Sequence, residues 1–471
     1  MIEPSSLCDI AIIGGGASGV LAAIQLLRQA RAALHIVLLE PAGALAEGVA
    51  YASGRDEHLL NVQAGAMSAF PDQPGDFIAY LRGRPEFADL SDAELALRYV
   101  ARRHYADYLR ECLRQARSGA MARCEVIRDR VLALDKHGGG VRLQLAGAEL
   151  QARGVVLATG NAPRPLPVRG ASGLQARHRL EAWDATALAG IAADAAVCIV
   201  GSGLSMLDAV VTLHLRGHRG PVHVLSRHGL MPLPHARGGS VELDVPALLA
   251  LSLRRRVRVL RTHARTVMAR GLPWQAVMDA LRPHGQALWR SLCRADQRRF
   301  LRHLVRYWDA HRHRVAPEVH ARLRAMRTSG QLRVHRARLD SVFAVGACVQ
   351  LSARTAQGQA LRLEVQQVVN ATGVEMRVQA MGNPLLQQLL GVGHAVAGQH
   401  GIGVDSDDAG CLIDAGGHAD PRIRVIGSLR VGRLWESLAI PELREQARDA
   451  VAALLWDGLE PRQVAATASR D

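Results

Sequence analysis

An α/β chain of two doubly wound, Rossmann-type dinucleotide-binding domains, one inserted in the other, is the fold class this sequence predicts. Three observations carry that prediction. A glycine fingerprint follows an apolar run near the N-terminus, a second follows another apolar run in mid-chain, and two strand-to-turn segments end in Ala-Thr-Gly.

The first fingerprint runs from Cys8 through Ile13 into Gly14, Gly15, Gly16, Ala17, Ser18 and Gly19, and a second apolar strand, His35 to Leu39, ends on Glu40. The mid-chain fingerprint runs from Val197 through Val200 into Gly201, Ser202 and Gly203, and its following strand ends on Ser226 and Arg227. A strand and tight glycine turn bring backbone N–H groups and a helix N-terminus up to a pyrophosphate. The residue closing each unit selects the nucleotide. Glu40, 21 residues beyond Gly19, suits the hydroxyls of an unphosphorylated ribose, as in FAD or NAD. Arg227, 24 residues beyond Gly203, suits a 2′-phosphate, so FAD first and NADPH rather than NADH second is the expected pairing. Arg227 as an ordinary solvated strand end is the competing reading.

The elements follow in order. Val20 to Ala30 reads as the first helix, Asp76 to Arg84 as another, and Ser91 to Ala116 as one long helix opened by the capping box Ser91-Asp-Ala-Glu94. Leu150 to Leu157 is a strand entering the turn Ala158-Thr159-Gly160, and a proline-rich linker follows. The strand–helix–strand grammar restarts at Ala195. Val245 to Ser329 reads as mostly helical, Leu332 to Leu363 as β structure, and Val368 to Thr372-Gly373 repeats the earlier strand and turn. Another strand and turn end at Gly427-Ser428, and Pro441 starts a final helix. The turn residues Thr159, Gly160, Thr372, Gly373 and Gly427 are expected to face cofactor. The predicted division is an FAD domain over 1–165, an NAD(P) domain over 166–358 with a basic helical segment at about 245–330, and the rest of the FAD domain over 359–471.

Charge is concentrated. Residues 251–330 hold 19 arginines against Asp279, Asp296, Asp309 and Glu318, a net +15 that equals the net charge of all 471 residues. Lys136 is the only lysine. Such a field suits phosphates, an acidic substrate or an acidic partner, against the plainer reading of a solvated face. Arg299, Arg302 and Arg306 follow i, i+3 and i+7 and are expected on one helical face. Aromatic content of 4% leaves few stacking platforms, which argues against nucleic acid. Seven cysteines without a C-x-x-C pair disfavour a disulfide framework, a zinc knuckle and a redox dithiol. His303, His311 and His313 do not make a metal set, since 311 and 313 face different sides of a helix. No secretory segment and no membrane span are expected, hence a cytoplasmic location.

Individual residues keep two readings each. Asn61, in the loop His58–Gly65, is a candidate catalytic or cofactor-binding residue at the flavin edge or nicotinamide amide, or else an Asx-turn residue serving its loop. Pro441 either aims a helix N-terminus at the flavin's pyrimidine end or simply starts a helix. Asp208 is a ligand contact or a favourable acid near a helix N-terminus.

Beyond the fingerprints, Gly48-Val-Ala-Tyr51, His58-Leu-Leu-Asn61-Val62, Met67-Ser68, the stretch from Phe300 to Arg314, and Trp435-Glu436 through Pro441 to Arg444 resemble bacterial FAD/NAD(P)-binding oxidoreductases. Those are two-dinucleotide flavoproteins distantly related to amine N-hydroxylases and flavin monooxygenases. The resemblance implies NADPH-dependent reduction of FAD and, in the first reading, a single-component monooxygenase. It would use O2 to oxygenate a nucleophilic nitrogen or sulfur of a small-molecule substrate, one with acidic character if the arginine field serves it. The alternatives are a reductase or oxidase serving another electron acceptor, and a nucleotide-bound regulatory protein with an acidic partner. Two departures stand out: Met206 replaces the third glycine of the second fingerprint, and Ser428 stands where many flavoprotein reductases carry an aspartate.

Overall fold

A computed structural model describes residues 6–457 except Arg237; residues 1–5 and 458–471, which the expected domain limits include, lie outside the described residues. Two sheets organise the chain. In the first, strands Cys411–Ile413, Ala419–Val425, Glu149–Leu157, Ser6–Ile13, His35–Leu39 and Arg123–Ile127 lie in that order. Its four inner pairings are parallel, and the hairpin Val131–His137/Gly140–Leu145 is appended antiparallel to Glu149–Leu157. The runs Ile10–Ile13, Ile36–Leu39 and Val155–Leu157 at the centre of this sheet are apolar without interruption because both faces are covered. Ile10, Ile12, Ile36, Leu38 and Val156 face helices Ala17–Gln29, Arg102–Ser118 and Ile440–Asp457, while Ala11, Ile13, Val37, Leu39 and Val155 face helix Pro384–Gly391.

The second sheet has the order Ala360–Val365, Cys348–Thr355, Leu332–Val345, Val222–Ser226, Val197–Val200, Gln367–Asn370, Arg179–Glu181. Its central pairings are again parallel, so each sheet has a switch point beside its fingerprint strand: Ser6–Ile13 between His35–Leu39 and Glu149–Leu157, Val197–Val200 between Val222–Ser226 and Gln367–Asn370. Ligands of open α/β sheets bind at such points, outside the carboxyl ends of the strands.

The second sheet takes its last strand from Gln367–Asn370, beyond the boundary expected at 358. The return crossing is at the second Ala-Thr-Gly turn, where Val374–Glu375 pairs antiparallel with Ala162–Pro163 and Asn370 Nδ2 donates to the Arg164 carbonyl at 2.9 Å. The β-meander before it gives no local sign that the sheet still lacks a strand.

Two helical expectations are also corrected. The capping box at Ser91 opens only Asp92–Ala96, and a new helix begins at Arg102. Residues 97–101 leave the helix because the loop before them needs partners: Leu60 N–H donates to the Val100 carbonyl at 2.8 Å and Ala64 N–H to that of Arg98 at 2.9 Å. The arginines at 299, 302 and 306 do not share a face, because Phe300–Leu304 forms a π-helical turn between two α-helices. Arg299 and Arg306 are moreover paired with Asp296 at 2.7 Å and Asp309 at 3.1 Å. The segment from Val245 to Thr328 is otherwise a succession of helices. Among the described residues, no helix is long and apolar enough to cross a membrane.

Candidate functional site

Both fingerprints are built alike. Gly14 has φ +109° and Gly201 φ +112°, conformations that disfavour any side chain. A Cβ on Gly14 would lie 2.3 Å from the Ala158 carbonyl oxygen, and one on Gly201 would lie 2.1 Å from that of Ala371. Each Ala-Thr-Gly turn thus packs on the first glycine of its own fingerprint. Helices then start at Ala17 and Leu204, with Gly16 and Gly203 as N-caps that have no side-chain partner for the free N–H groups. A Cβ on Gly16 or Gly203 would meet little or nothing: the nearest atom to that of Gly16 is Gly48 Cα at 3.7 Å, and none lies within 4 Å of that of Gly203. These two glycines therefore face open space at a positive helix end, as an approaching pyrophosphate requires. Met206 is fully buried and leaves the start of the second helix in place.

Glu40 accepts from the Gly15 N–H at 2.8 Å and the Ala42 N–H at 3.0 Å, which pins the first turn and leaves each carboxylate oxygen a lone pair. Gly19 belongs to helix packing, since a Cβ there would lie 1.8 Å from the Gly14 carbonyl oxygen. Ser18 reaches Gly427, whose added Cβ would lie 2.8 Å from Ser18 Oγ, and Gly427 N–H donates to Gln446 Oε1 at 3.1 Å. The N-terminal fingerprint, the Gly427-Ser428 turn and the start of helix Ile440–Asp457, with Pro441 as its second residue, therefore surround one region.

That region holds several buried polar atoms with no protein partner: Thr159 Oγ1, Asn161 Oδ1, Ser428 Oγ and Ser437 Oγ. Buried polar groups are rarely left unpaired, so such a set marks a wall awaiting a polar ligand. Ser428 keeps a buried hydroxyl free where the aspartate is missing. Gly160 takes φ +74° at the exposed end of the first turn.

The two turns differ in what they leave free. Thr372 Oγ1 donates to Asn370 Oδ1 at 2.7 Å, and the Gly373 carbonyl accepts from Arg164 N–H at 3.2 Å, so this turn is committed to the domain crossing. Ser202 and Ser226 hydroxyls are 2.9 Å apart, Ser202 also donates to the Leu230 carbonyl, and Gly229 N–H donates to Ser226 at 3.0 Å. Both serines are spent on ordering the loop after Arg227. Arg227 itself is exposed, with no carboxylate partner among the described residues. Burial and then the positive charges of Arg227, Arg306 and Arg336 hold neighbouring His228 below the ordinary histidine range, the mark of a cationic corner at this strand end.

Asn61 uses its backbone, not its side chain, in the contact that defines it: its carbonyl faces His235 Nε2 at 3.0 Å across the two domains. It lines a small interdomain crevice with Leu60, Arg102, Leu204 and Val315. Around it lie contacts that the sequence did not announce. Arg102 holds Asp208 in a bidentate pair at 2.7 and 3.1 Å, and the buried His58 sits 2.8 Å from Thr212 Oγ1. Burial pushes the His58 pKa down. Asp208 therefore ties the second fingerprint helix to the first domain, a role outside both expected readings, since as the fifth residue of helix Leu204–Leu215 it lies beyond the first turn. Both partners are mostly buried, and Asp208→Ala would strand the Arg102 guanidinium. We expect a loss of about 2 kcal/mol, between the values for exposed and fully buried pairs, read as a lower urea midpoint with unchanged slope.

Comparison with known proteins agrees with this architecture. Residues 11–162 match a family model described as FAD-NAD(P)-binding. No curated protein sequence matches the chain. Among solved structures, the ornithine N-hydroxylase of Kutzneria sp. 744 superposes with a TM-score of 0.66 at 14% identity, over 96% of this chain and 99% of that one. The L-lysine 6-monooxygenase of Pseudomonas syringae gives 0.66 at 18% identity over 96% and 100%. The chain has their fold. The FAD-bound cadaverine monooxygenase of Erwinia amylovora gives 0.61 at 13% identity over 99% of each chain.

Proposed function

We propose that this chain is an FAD-dependent, NADPH-using monooxygenase that oxygenates a nucleophilic nitrogen of a small amine. The observation carrying the reading is the paired construction at Gly14/Ala158 and Gly201/Ala371: two glycine turns, each opening a helix toward free space at a switch point of its own sheet. FAD suits the first site. Glu40 can receive ribose hydroxyls, Gly16 and Ser18 the pyrophosphate, and Thr159, Asn161, Ser428 and Ser437 the polar atoms beyond it. NADPH suits the second, with Gly203 at the pyrophosphate and Arg227 at the 2′-phosphate. FAD would supply the redox chemistry, and the protein's part is to place the two ring systems and exclude water. The nitrogen-directed reading is supported by the ornithine, lysine and cadaverine enzymes that share the fold.

The arginine field supports an acidic substrate or partner. On helix Leu253–Ala269, exposed Arg254, Arg258, Arg261 and Arg265 follow i, i+4, i+7 and i+11, and none of these four has an acidic partner among the described residues. If they steer anions, NADPH association should slow several-fold between 0.01 and 0.1 M salt, and charge reversal at Arg258 and Arg261 should flatten that dependence without loss of flavin.

The deciding experiment measures NADPH oxidation and O2 uptake of the purified flavoprotein with and without ornithine, lysine or cadaverine, and assays the hydroxylamine product. Amine-dependent turnover with hydroxylamine formed is the expected result. Rapid NADPH oxidation with peroxide alone would point to an oxidase, and turnover only with an added electron acceptor to a reductase.

A further inference from the structure

The helical segment and the C-terminal part of the first domain meet in a cluster of four charged side chains. Glu436 is held by Trp308 Nε1, which donates to Oε1 at 2.6 Å, and by Gln286 Nε2, which donates to its carbonyl at 3.3 Å, while Arg312 Nε lies 3.1 Å from Oε2 without hydrogen-bond geometry. The second pair is not closed. Arg282 Nε stands 3.9 Å from Glu442 Oε1, while Arg282 Nη2 and Glu442 Oε2 are both buried with no hydrogen-bond partner. A guanidinium and a carboxylate this close could form two short, parallel bonds, and here they do not.

Their position connects them to the flavin region. Glu442 lies in the first turn of helix Ile440–Asp457, one turn before Gln446, on the same face. Gln446 holds the Gly427 N–H at 3.1 Å and donates to the Ser437 carbonyl at 2.8 Å. The open pair therefore stands at the same helix end as Gly427, Ser428 and Ser437, with the helical segment closing the far side.

We propose that Arg282 and Glu442 form the substrate-recognition pair of this protein, Glu442 receiving the ammonium of an amine substrate and Arg282 receiving its anionic group when it has one. The inference rests on the monooxygenase reading above. A bound zwitterion would exchange one long ion pair for two charge-assisted contacts and satisfy both free atoms. Glu442 Oε2 can then take one N–H proton from the ammonium. That leaves a neutral amine with its lone pair available and a neutral carboxylic acid, which returns the proton to water after product leaves. Burial raises the Glu442 pKa, opposed by Arg282 and Arg312 and assisted by Glu436, which makes it a better proton acceptor than an exposed glutamate.

The test is binding to the oxidised flavoprotein, followed by perturbation of the flavin spectrum with ornithine, lysine and cadaverine, with no turnover required. Glu442→Gln, with unchanged flavin content, is expected to weaken all three at least ten-fold. Arg282→Gln is expected to weaken ornithine and lysine at least ten-fold and cadaverine, which has no carboxylate, less than three-fold. In the unaltered protein, affinity should fall as pH drops through the raised Glu442 pKa, and Glu442→Gln should abolish that dependence. Equal affinities in the variants, or a pH profile that survives Glu442→Gln, overturn this inference and leave the monooxygenase reading standing. If none of the three amines binds the unaltered protein, the amine reading itself falls, and this inference with it.

Discussion

Gly16→Val is expected to yield folded protein that has lost its flavin, whereas Gly14→Ala, at a neighbouring glycine, is expected to damage the fold itself. At Gly16 the backbone is ordinary, with φ −66°, and a Cβ meets nothing closer than 3.7 Å. A side chain there would obstruct only a ligand coming to the helix N-terminus. At Gly14 the alanine would have to hold φ +109° with its Cβ 2.3 Å from the Ala158 carbonyl oxygen. The backbone strain and the displaced turn together should cost about 3 kcal/mol or more. Absorbance near 450 nm reports flavin and circular dichroism with urea unfolding reports the fold. Stoichiometric flavin in purified Gly16→Val protein would remove FAD from the first fingerprint, and an unchanged urea midpoint for Gly14→Ala would show that the turn can yield.

Arg227→Ala is expected to raise the KM for NADPH about ten-fold and to leave that for NADH nearly unchanged. A hydrogen bond to a charged group contributes about 1.5–3 kcal/mol, and solvent screening at this exposed strand end favours the lower figure. Calorimetric binding of 2′,5′-ADP checks the same contact without catalysis. Equal use of NADH and NADPH by the unaltered protein would end the 2′-phosphate assignment. Ser202→Ala should instead weaken both nicotinamide cofactors together, because its hydroxyl orders the loop 226–230 and has no contact that distinguishes them.

How far the sequence reached depends on the range of the interaction that decides each feature. Two parallel sheets, their fingerprint strands and their glycine turns were legible because continuous apolar runs and a glycine turn opening a helix are local signals, set by strand burial and by the φ that the chain demands. The turn from Gly14 to Gly16, the strand end at Glu40 and the turn at Gly427 were legible for the same reason. The readings that changed depend on partners distant in the chain. The helix from Ser91 broke at Leu97 because the loop at 60–64 claims its backbone, and the second domain ran on to Asn370 because a central sheet position was still unfilled. Ser202 and Ser226 match the motif, yet their hydroxyls pair with each other across 24 residues, whereas the Thr372 hydroxyl is taken locally by Asn370. The Arg102–Asp208 tie and the open pair Arg282–Glu442 join residues 106 and 160 positions apart. Local periodicity carries no trace of such pairs, so the two glycine turns and their strands belong to the sequence, whereas the interface between the domains and the charges that line it were decided by the tertiary structure alone.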